Sequence, residues 1–418
     1  MKHQNAGCGG HDDAAQTLHE ALARISAEIR PVEGFESVAT RDALDRVLYA
    51  PIRSTLDVPA HTNSAMDGYA LDGAQLPAAG ERSFRVIGTA WAGRPFDGTA
   101  GAGECVRIMT GAPVPAGADT VVMQEQVRRA GDDAIIRAGH TPGQNVRFAG
   151  EDLKAGEIAL DAGVLLRPAH LGMIASLGVS EVRVRRRPRV AFFSTGDELA
   201  SIGEGLGPGQ IYDSNRYTLY GMLRRLGVDV IDLGVVRDDR DALEQAFLAA
   251  AAQADAVITS GGVSVGEADF VTETLDRIGT VGFWTVAIKP GRPIAFGRVA
   301  GALFFGLPGN PVSVMVTFYQ LVQPALQILA GLPEPAVPVM VSARLESRLK
   351  KKPGRREFQR GILSLAEDGG YRVSTAGRQG SGILRSMAQA NCFIVLPEDS
   401  GNVDAGAVVS VQPFSGLC

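Results

Sequence analysis

Two groups of residues in the second half of the chain have the types and spacing to do chemistry. The first group suits anions: "TSGGVSVG" (259–266) and "GLPGNPVS" (306–313) are small-residue turns, and "AIKPGRP" supplies Lys289 and Arg292. Backbone N–H groups in such turns, and at the start of a helix that begins with Pro311, can hold a phosphate. The pattern therefore predicts an anion-binding site.

The second group consists of carboxylates next to these turns. They are Asp197, Glu198, Asp238, Asp239, Glu267 and Asp269. Acids beside a phosphate require a cation, and Mg²⁺ is commonly held by one or two acids, several waters and phosphate. We therefore predict that the acids hold Mg²⁺ and that the metal holds the phosphate. Asp197 or Asp238 could equally be a helix N-cap, and a cap is favoured over a ligand set for Asp213 and Asn215.

Strands and helices must position both groups. From residue 188, the strand-like segments "RVAFFST", "VDVIDLGVV", "DAVITSGG" and "ALFFGLPG" are separated by helix-like "SNRYTLYGMLRRL", "RDALEQAFLAAAA" and "DFVTETLDRI". Such alternation predicts a parallel sheet covered by helices. Because ligands bind outside the carboxyl ends of parallel strands, the turns and the acids should meet at one rim of the sheet.

The rest of the chain has other patterns. Apolar spacing predicts helices over 14–30 and 40–50, the second with Thr40 as N-cap, and a further helix after Pro168. Short β segments between Gly and Pro fill 69–147, and β structure returns after "GLPEPAVP". A compact β module and a second, C-terminal one are therefore expected.

Five further polar residues lie outside the predicted rim. They are Asp67, Thr110, Arg147, Arg360 and Ser381. Asp67 and Thr110 also fit ordinary surface turns, and Arg147 fits a solvent-facing turn. Arg360 and Ser381 could hold a small oxyanion, because charge-assisted hydrogen bonds contribute about 1.5–3 kcal/mol.

Composition narrows the class of protein. The 418 residues, 45% hydrophobic and 21% charged, predict two to four globular domains. A net charge of −5 argues against a general nucleic-acid binder, and the basic run 182–190 is favoured as a connector. The scattered Cys8, Cys105, Cys392 and Cys418 favour reduced thiols over a zinc site or disulfides.

Several other classes lack their sequence signals. No GxxxxGK[ST], GxSxG or HExxH motif is present, which argues against a P-loop NTPase, an α/β-hydrolase nucleophile and a zinc protease. No run of about 18 apolar residues is evident, so no membrane span is expected. The polar, Gly-rich start reads as a mobile leader rather than a metal site of His3, Cys8 and His11.

Nine motifs, taken in order, resemble one family. They are "NSAMDGYA", "RIMTGAP", "GQNVR…GED", "STGDEL", "DSNRYTL", "TSGGVSVGEADF", "AIKPGRP", "GLPGNPVS" and "GSGILRSM". Together they closely resemble the MoeA family of molybdopterin molybdenumtransferases, which is related to the E domain of gephyrin. The resemblance runs from about residue 14 to about residue 415. "SGGVS" alone is shared with the wider molybdopterin-binding α/β superfamily.

The resemblance implies a multidomain α/β plus β fold. It comprises a molybdopterin-binding three-layer α/β domain, an elongated helical domain with an inserted β domain, and a C-terminal β-barrel. The expected segments are a mobile leader (1–13), a discontinuous N-terminal domain (14–60 and 148–182), the inserted β domain (61–147), the α/β domain (183–332) and the barrel (333–418).

The implied reaction inserts molybdenum from molybdate into adenylyl-molybdopterin and releases AMP, with Mg²⁺ involved. The implied catalytic positions are Asp67, Thr110, Glu198, Asp238 and Asp269. The implied cofactor-binding positions are Arg147, Gly261, Gly262, Ser264, Lys289, Gly309, Asn310, Arg360 and Ser381. Asp238 and Asp269 would bind Mg²⁺, and Lys289, Arg360 and Ser381 would hold molybdate. The Gly, Ser264 and Asn310 positions would cradle the pterin phosphates.

The resemblance also implies a cytoplasmic homodimer with a shared active cleft, in which the partner chain supplies Asp67 and Thr110. A molybdopterin adenylyltransferase and molybdoenzyme-maturation proteins are candidate partners, whereas nucleic acid and membrane are not expected.

The sequence departs from the family pattern at one charged position. Thr285 stands four residues before Lys289, where the family often has Lys. The absence of this lysine either weakens the anion site or is compensated by the positive charge of Arg292.

Three other functions compete with this reading. A molybdopterin adenylyltransferase would use ATP and unmodified molybdopterin, but it needs little beyond one α/β domain. A non-catalytic binding or scaffolding protein is disfavoured by the retained acids Glu198, Asp238 and Asp269. A tungsten-inserting enzyme would have the same sequence pattern, because the two oxyanions are nearly identical in size and charge.

Overall fold

The computed structural model describes residues 15–262 and 270–416. The chain divides into two compact units, one of Met1–Glu36 with Arg185–Cys418 and the other of Ser37–Val184. Several predicted features lie outside the described residues: the leader 1–13, Ser264, Glu267, Asp269 and Cys418. The division into four domains at the boundaries given above stays a prediction.

The first helix, α1 (Leu18–Glu28), confirms the helical pattern predicted for 14–30. It begins with a capping box: the Thr17 hydroxyl oxygen accepts from the Glu20 N–H at 3.2 Å, and the Glu20 carboxylate accepts from the Thr17 N–H at 2.8 Å. These bonds satisfy N–H groups that a helix start leaves unpaired. The buried face, with Ala21 and Ile25, joins the main apolar core of the first unit.

The second unit is built mainly of short strands. They are β1 (Phe35–Ala39), β2 (Ile52–Arg53), β3 (Asn63–Ser64), β4 (Gly68–Leu71), β5 (Glu81–Ala90), β6 (Glu104–Ile108), β7 (Thr120–Met123), β8 (Val127–Ala130), β9 (Asp133–Arg137), β10 (Val146–Arg147), β11 (Ile158–Leu160) and β12 (Glu181–Arg185), with helix α2 (Pro168–Ser176) before β12. Six of them form one sheet in the order β7-β4-β6-β5-β9-β8. Successive residues of β4, Tyr69 and Ala70, contribute to apolar clusters on opposite faces of this sheet. The predicted β module is confirmed.

The helix predicted over 40–50 is wrong. Thr40–Ala43 forms a single 3₁₀ turn. The Thr40 hydroxyl donates to the carbonyl oxygen of Val179 at 2.8 Å instead of capping a helix. Leu48 is buried and takes part in a β-bridge. Tertiary burial of this segment overrides its helical spacing.

The chain from Arg189 to Leu329 forms an α/β sandwich. Its elements are β13 (Arg189–Thr195), β14 (Leu199–Ala200), β15 (Ile211–Tyr212), α3 (Ser214–Leu226), β16 (Asp229–Val236), α4 (Arg240–Gln253), β17 (Ala256–Ser260), α5 (Phe270–Ile278), β18 (Gly279–Thr285), β19 (Ile288–Lys289), β20 (Pro293–Val299), β21 (Ala302–Leu307), α6 (Pro311–Thr317) and α7 (Gln323–Leu329). The main sheet has the order β16-β13-β17-β21-β20-β18. Its first four strands are parallel, as predicted. The antiparallel strands β20 and β18 extend the sheet and were not predicted.

Alternate residues of β13 separate the two faces of this sheet. Val190 and Phe192 pack in the core that also receives α1, α3, α6 and α7, whereas Ala191 and Phe193 pack with α4 and α5. Side chains that alternate between faces require apolar cover on both sides of a sheet. The three-layer architecture is therefore confirmed.

The helical run from α6 to α7 includes one π-helical turn, Phe318–Val322. Pro324 in α7 has no N–H to donate to the carbonyl four residues earlier, which accounts for the altered turn before it. By length and composition the run Pro311–Leu329 could cross a membrane, contrary to the expectation that no such apolar run exists. However, 72% of it is buried inside the protein, where it packs on the sheet as a core helix.

The C-terminal strands close into a barrel. The elements are β22 (Val341–Leu345), β23 (Arg356–Leu365), β24 (Tyr371–Thr375), α8 (Leu384–Gln389), β25 (Cys392–Leu396) and β26 (Val408–Pro413). The order β23-β24-β22-β26-β25 is completed by pairing of β25 with β23, which confirms a five-stranded barrel. Phe358 and Phe393 of the barrel pack in the main core of the α/β sandwich. The barrel and the sheet rim are therefore held together within the first unit.

Candidate functional site

The predicted acids lie beyond the carboxyl ends of two parallel strands. Glu198 is exposed in the turn after β13, and Asp238 is half-buried after β16. The N-cap of α4 is Asp239, whose carboxylate accepts from the Ala242 N–H at 2.9 Å. Asp238 is therefore not the cap, and the capping alternative applies to its neighbour.

The turn after β17 requires glycine at both predicted positions. Gly261 has φ +94° and Gly262 has φ +66°. A Cβ at Gly261 would lie 2.5 Å from the Thr195 carbonyl oxygen, and one at Gly262 would lie 2.4 Å from a Val271 methyl group. Only glycine fits these close approaches without strain, so the turn packs tightly against Thr195 and Val271.

Asn215 joins this turn to the next rim loop. Its side-chain N–H₂ group donates to the Ser260 hydroxyl at 2.8 Å and to the Gly309 carbonyl at 2.7 Å. Asn215 lies in the first turn of α3, which Asp213 caps by accepting from the Arg216 N–H at 3.0 Å. Asp213 is thus a cap as expected, whereas Asn215 has a bridging role that the sequence analysis missed.

The loop before α6 is tied to the barrel. Asn310 is the N-cap of α6, with no side-chain capping bond, and Pro311 is the first helical residue, as predicted. The N–H of Val312 donates to the Ser381 carbonyl at 3.0 Å. The structure therefore brings Gly309, Asn310 and Ser381 together, although more than one element separates them in the sequence.

Arg360 is a buried cation next to Ser381. Its residue exposure is 1%, and it donates from Nε to the Ser386 hydroxyl at 3.0 Å and from Nη2 to the Gly380 carbonyl at 3.0 Å. Burial lowers the pKa of the guanidinium to about 10. Its hydrogen-bond partners in the described chain are neutral groups, so the positive charge is not neutralised by them.

Lys289 lines a cavity of about 210 Å³, together with residues of the barrel. Its Nζ forms an ion pair with the Glu357 carboxylate at 3.0 Å. Besides Lys289 and Arg360, the charged lining residues are Arg348, Lys350 and Glu357. The sequence analysis singled out none of these three. Because alternate residues of a strand face the same side, Glu357 and Gln359 of "REFQRG" lie on one side of β23. This alternation is the sequence signal that could have identified Glu357.

Two predictions about charge concern Thr285 and Arg292. Thr285 is half-buried at the end of β18, where its carbonyl accepts from the Gln16 N–H at 2.9 Å. Arg292 is exposed and does not line the cavity beside Lys289. Compensation for Thr285 by Arg292 stays a prediction, and the cations that line the cavity besides Lys289 and Arg360 are Arg348 and Lys350.

In the second unit, Asp67 and Thr110 are in direct contact. One carboxylate oxygen of Asp67 accepts from both the backbone N–H and the hydroxyl of Thr110, each at 2.7 Å. These bonds favour the charged carboxylate, and the pKa of Asp67 is lowered, first by the backbone bond and then by the hydroxyl bond. Two residues predicted as separate candidates thus form one polar pair.

Arg147 belongs to the same part of the second unit. It lies in β10, paired with Asn63 of β3, and its side chain is exposed. The carbonyl of Ser64, next along β3, accepts from the Gly111 N–H at 2.8 Å. The segments that carry Arg147 and Thr110 therefore flank the same short strand.

A metal site was predicted from Asp238 and Asp269. Across 15–262 and 270–416, no three His, Cys, Asp or Glu side chains form a group that could hold a metal ion. Mg²⁺ commonly takes only one or two carboxylates, with waters and phosphate oxygens as its other ligands. Carboxylate donors at the end of a parallel strand suit Mg²⁺ chemically, and Asp269 lies outside the described residues.

The fold and the site define a class: a multidomain protein whose three-layer α/β domain and β-barrel together present a glycine-bounded rim beside a buried cation. Three family models match the chain. They are the MoeA N-terminal region (domain I and II) at 16–178, a probable molybdopterin binding domain at 191–328 and the MoeA C-terminal region (domain IV) at 342–414.

Similar proteins cover almost the whole chain. A molybdopterin molybdenumtransferase of Haemophilus influenzae is 45% identical over 402 residues, which is 96% of this chain and 99% of that protein. One from Nostoc is 39% identical, over 96% of this chain and 92% of its own. The crystal structure of a molybdopterin biosynthesis MoeA protein from Pyrococcus horikoshii has a TM-score of 0.83 and 31% identity, with 96% of this chain and 100% of that chain covered. The chain belongs to the MoeA family.

Proposed function

We propose that this protein is a molybdopterin molybdenumtransferase, which inserts molybdenum from molybdate into adenylyl-molybdopterin and releases AMP. The observation that carries the proposal is the match to relatives of this activity along 96% of the chain, at up to 45% identity. A second support is the continuous connection, within one unit, between a glycine-bounded rim and a buried cation. Backbone N–H groups at the rim could bind phosphate, and the buried Arg360 guanidinium could bind a second anion.

The rim is the proposed binding site for the pterin phosphates. The proposed positions are Gly261, Gly262, Gly309 and Asn310, with Ser264 from the segment outside the described residues. The N–H of Gly261 already donates to the Leu307 carbonyl at 3.1 Å, so the other positions would supply the donors to phosphate. A Cβ at Gly309 would meet no atom within 4 Å, so this backbone is open to approach. Arg147 stays a proposed cofactor-binding residue.

Lys289, Arg360 and Ser381 are the proposed molybdate ligands. The unneutralised charge of buried Arg360 is the physical reason for this assignment, because an oxyanion would supply the missing counter-charge. The Ser381 segment is held against the start of α6 by its bond from Val312. Molybdate would therefore be bound beside the pterin.

Asp67, Thr110, Glu198, Asp238 and Asp269 are the proposed catalytic residues. Asp238 and Asp269 would hold Mg²⁺, which when bound neutralises charge on the phosphoanhydride. Asp67 is kept ionised by its two bonds from Thr110. Its ionised carboxylate can therefore orient a water or another donor by accepting a hydrogen bond.

Replacing Asp269 with Asn tests the acidic part of this assignment. Asp269→Asn should slow AMP release without unfolding the protein, because one anionic ligand is lost. Asp276→Asn, an exposed acid of α5, is the matched control and should keep the normal rate. AMP is measured by chromatography, and a normal rate in Asp269→Asn would sink the Mg²⁺ assignment.

A cytoplasmic homodimer with a shared cleft is part of the proposal, with Asp67 and Thr110 supplied by the partner chain. Chains carrying Asp67→Ala and Asp269→Ala, each inactive alone, should regain activity when mixed and allowed to exchange. Each heterodimer would contain one intact cleft. Absence of recovery, with subunit exchange verified by mass, would contradict the shared cleft.

Two alternatives are separated by one assay. An adenylyltransferase would consume ATP and unmodified molybdopterin, and a scaffold protein would bind molybdopterin without releasing AMP. AMP formed from adenylyl-molybdopterin in the absence of ATP supports insertion. An adenylyltransferase, as the source of the substrate, and maturation proteins, as users of the product, are the proposed partners.

A further inference from the structure

Glu357 is placed in register with Lys289. The short strand β19 pairs in parallel with β23, and the Cα partner of Lys289 is Glu357. Their side chains meet at 3.0 Å between Nζ and Oε1. The lysine side chain is 48% exposed, whereas that of the glutamate is 5% exposed. The ion pair thus joins a solvent-accessible, flexible cation to a buried anion.

The carboxylate is fixed from its other side. Oε2 of Glu357 accepts from the Gln359 side-chain N–H₂ at 3.0 Å. The same amide group donates to the Lys350 carbonyl at 3.2 Å, and Gln359 is itself buried. Glu357 is therefore held by the barrel, and Lys289 is the member of the pair that is free to turn.

The charge of the cavity makes this pair unusual. Among the described residues that line it, four are cationic, Lys289, Arg348, Lys350 and Arg360, and one is acidic, Glu357. Arg348 also contacts Asp404, which is not a lining residue, at 3.2 Å. A buried carboxylate in a cavity that attracts oxyanions opposes their binding, because like charges repel strongly where water is excluded.

We propose that Glu357 is a built-in counter-ion that competes with the incoming oxyanion for Lys289 and thereby sets the affinity and charge selectivity of the site. Without an oxyanion, the carboxylate neutralises Lys289. When a tetrahedral oxyanion binds, Lys289 turns to it while Glu357 stays fixed and repels it. This inference rests on the proposed oxyanion site.

The repulsion has a measurable signature. Coulomb energy is proportional to the charge of the bound ion, so removing one fixed negative charge helps a dianion twice as much, in free energy, as a monoanion. If the repulsion alone weakens binding of a monoanion about tenfold, it weakens binding of a dianion about a hundredfold. Release of Lys289 adds the same gain for both ions, so Glu357→Gln should tighten binding of the dianion about tenfold more than binding of the monoanion. If Glu357 only supported the local structure, the gain on its removal would not depend on the charge of the bound ion.

The test measures binding of molybdate, a dianion, and perrhenate, a monoanion of the same tetrahedral shape, to the full chain by equilibrium dialysis. Glu357→Gln should tighten both, with the larger gain for molybdate. Glu398→Gln, which alters the Arg356 ion pair outside the cavity lining, is the matched control and should change neither. Glu357→Ala, which also removes the charge, keeps the test usable if the Gln variant does not fold.

Unchanged or weakened molybdate binding in a folded Glu357 variant overturns the inference, as does an equal gain for the two ions. If the wild-type chain and Glu398→Gln bind neither oxyanion, the proposed oxyanion site itself fails and the inference fails with it. Binding by wild type with no gain on removing Glu357 leaves the proposed site standing and removes only the counter-ion role.

Discussion

Asp67 and Thr110, which are distant in the sequence, are joined by two hydrogen bonds of 2.7 Å to the same carboxylate oxygen. Both bonds favour the ionised carboxylate, and the pKa of Asp67 is lowered, with the backbone N–H of Thr110 as the largest cause. A group whose pKa is lowered on folding adds stability above its unfolded pKa. That stability is lost as the pH falls through the folded pKa.

Thr110→Ala should raise the pKa of Asp67 part of the way to its ordinary value. The hydroxyl donor is lost, whereas the backbone N–H remains. NMR titration of the Asp67 carboxyl carbon measures the shift, and Thr110→Ser, which keeps the hydroxyl, is the matched control. Identical titration curves for Thr110→Ala and wild type would contradict the role of the hydroxyl bond.

Asn215→Ala should lower the free energy of unfolding by about 1–2 kcal/mol, because two hydrogen bonds between rim loops are lost. Asn215→Asp should cost more, since it would set a carboxylate oxygen against the Gly309 carbonyl. Asn310→Ala is the control: its side chain makes no capping bond, so its stability should stay within about 0.5 kcal/mol of wild type. Urea unfolding measures all three, and equal values for Asn215→Ala and Asn310→Ala would refute the bridging role.

Arg360→Met should weaken molybdate binding while leaving the stability of the fold nearly unchanged. The substitution removes a buried charge without a carboxylate partner, so the free energy of unfolding should change by less than about 1 kcal/mol. Molybdate binding, measured by equilibrium dialysis, should fall at least about tenfold because the charge-assisted bonds are lost. Arg356→Met, which removes a barrel cation paired with Glu398, is the control and should retain binding. Normal molybdate binding by Arg360→Met would exclude Arg360 as a ligand.

Cys105 and Cys392 should resist alkylation in the folded protein. Both are buried free thiols, and burial raises the pKa of each to about 12. Because the thiolate is the reactive form, iodoacetamide at pH 8 should label these two residues only after unfolding in urea. Peptide mass spectrometry gives the labelled positions. Rapid labelling of either residue without urea would contradict its burial.

Local signals explain what could be predicted from the sequence. Helix α3 has Asp213 at its start and Gly227, with φ +78°, at its end, and its predicted bounds were right. The parallel strands were found because their apolar runs alternate with helical periods. These features depend on neighbours along the chain, which a sequence displays directly.

Long-range contacts explain which features could not be predicted from the sequence. Strands β18 and β20 pair antiparallel on the edge of the sheet, and no local pattern distinguishes that pairing from another helix crossover. The Asn215 bridge and the Glu357–Lys289 pair each join residues far apart in the sequence. The helix predicted over 40–50 from apolar spacing was wrong because burial of Leu48 decided the local structure.

The central claim is insertion of molybdenum, and one measurement tests it most directly. The purified protein is incubated with adenylyl-molybdopterin and Mg²⁺, with and without molybdate, and AMP and pterin-bound molybdenum are quantified together. The account predicts AMP release that depends on molybdate, with one molybdenum retained on the pterin for each AMP formed. AMP release that ignores molybdate, or bound pterin with no AMP and no molybdenum, would contradict it.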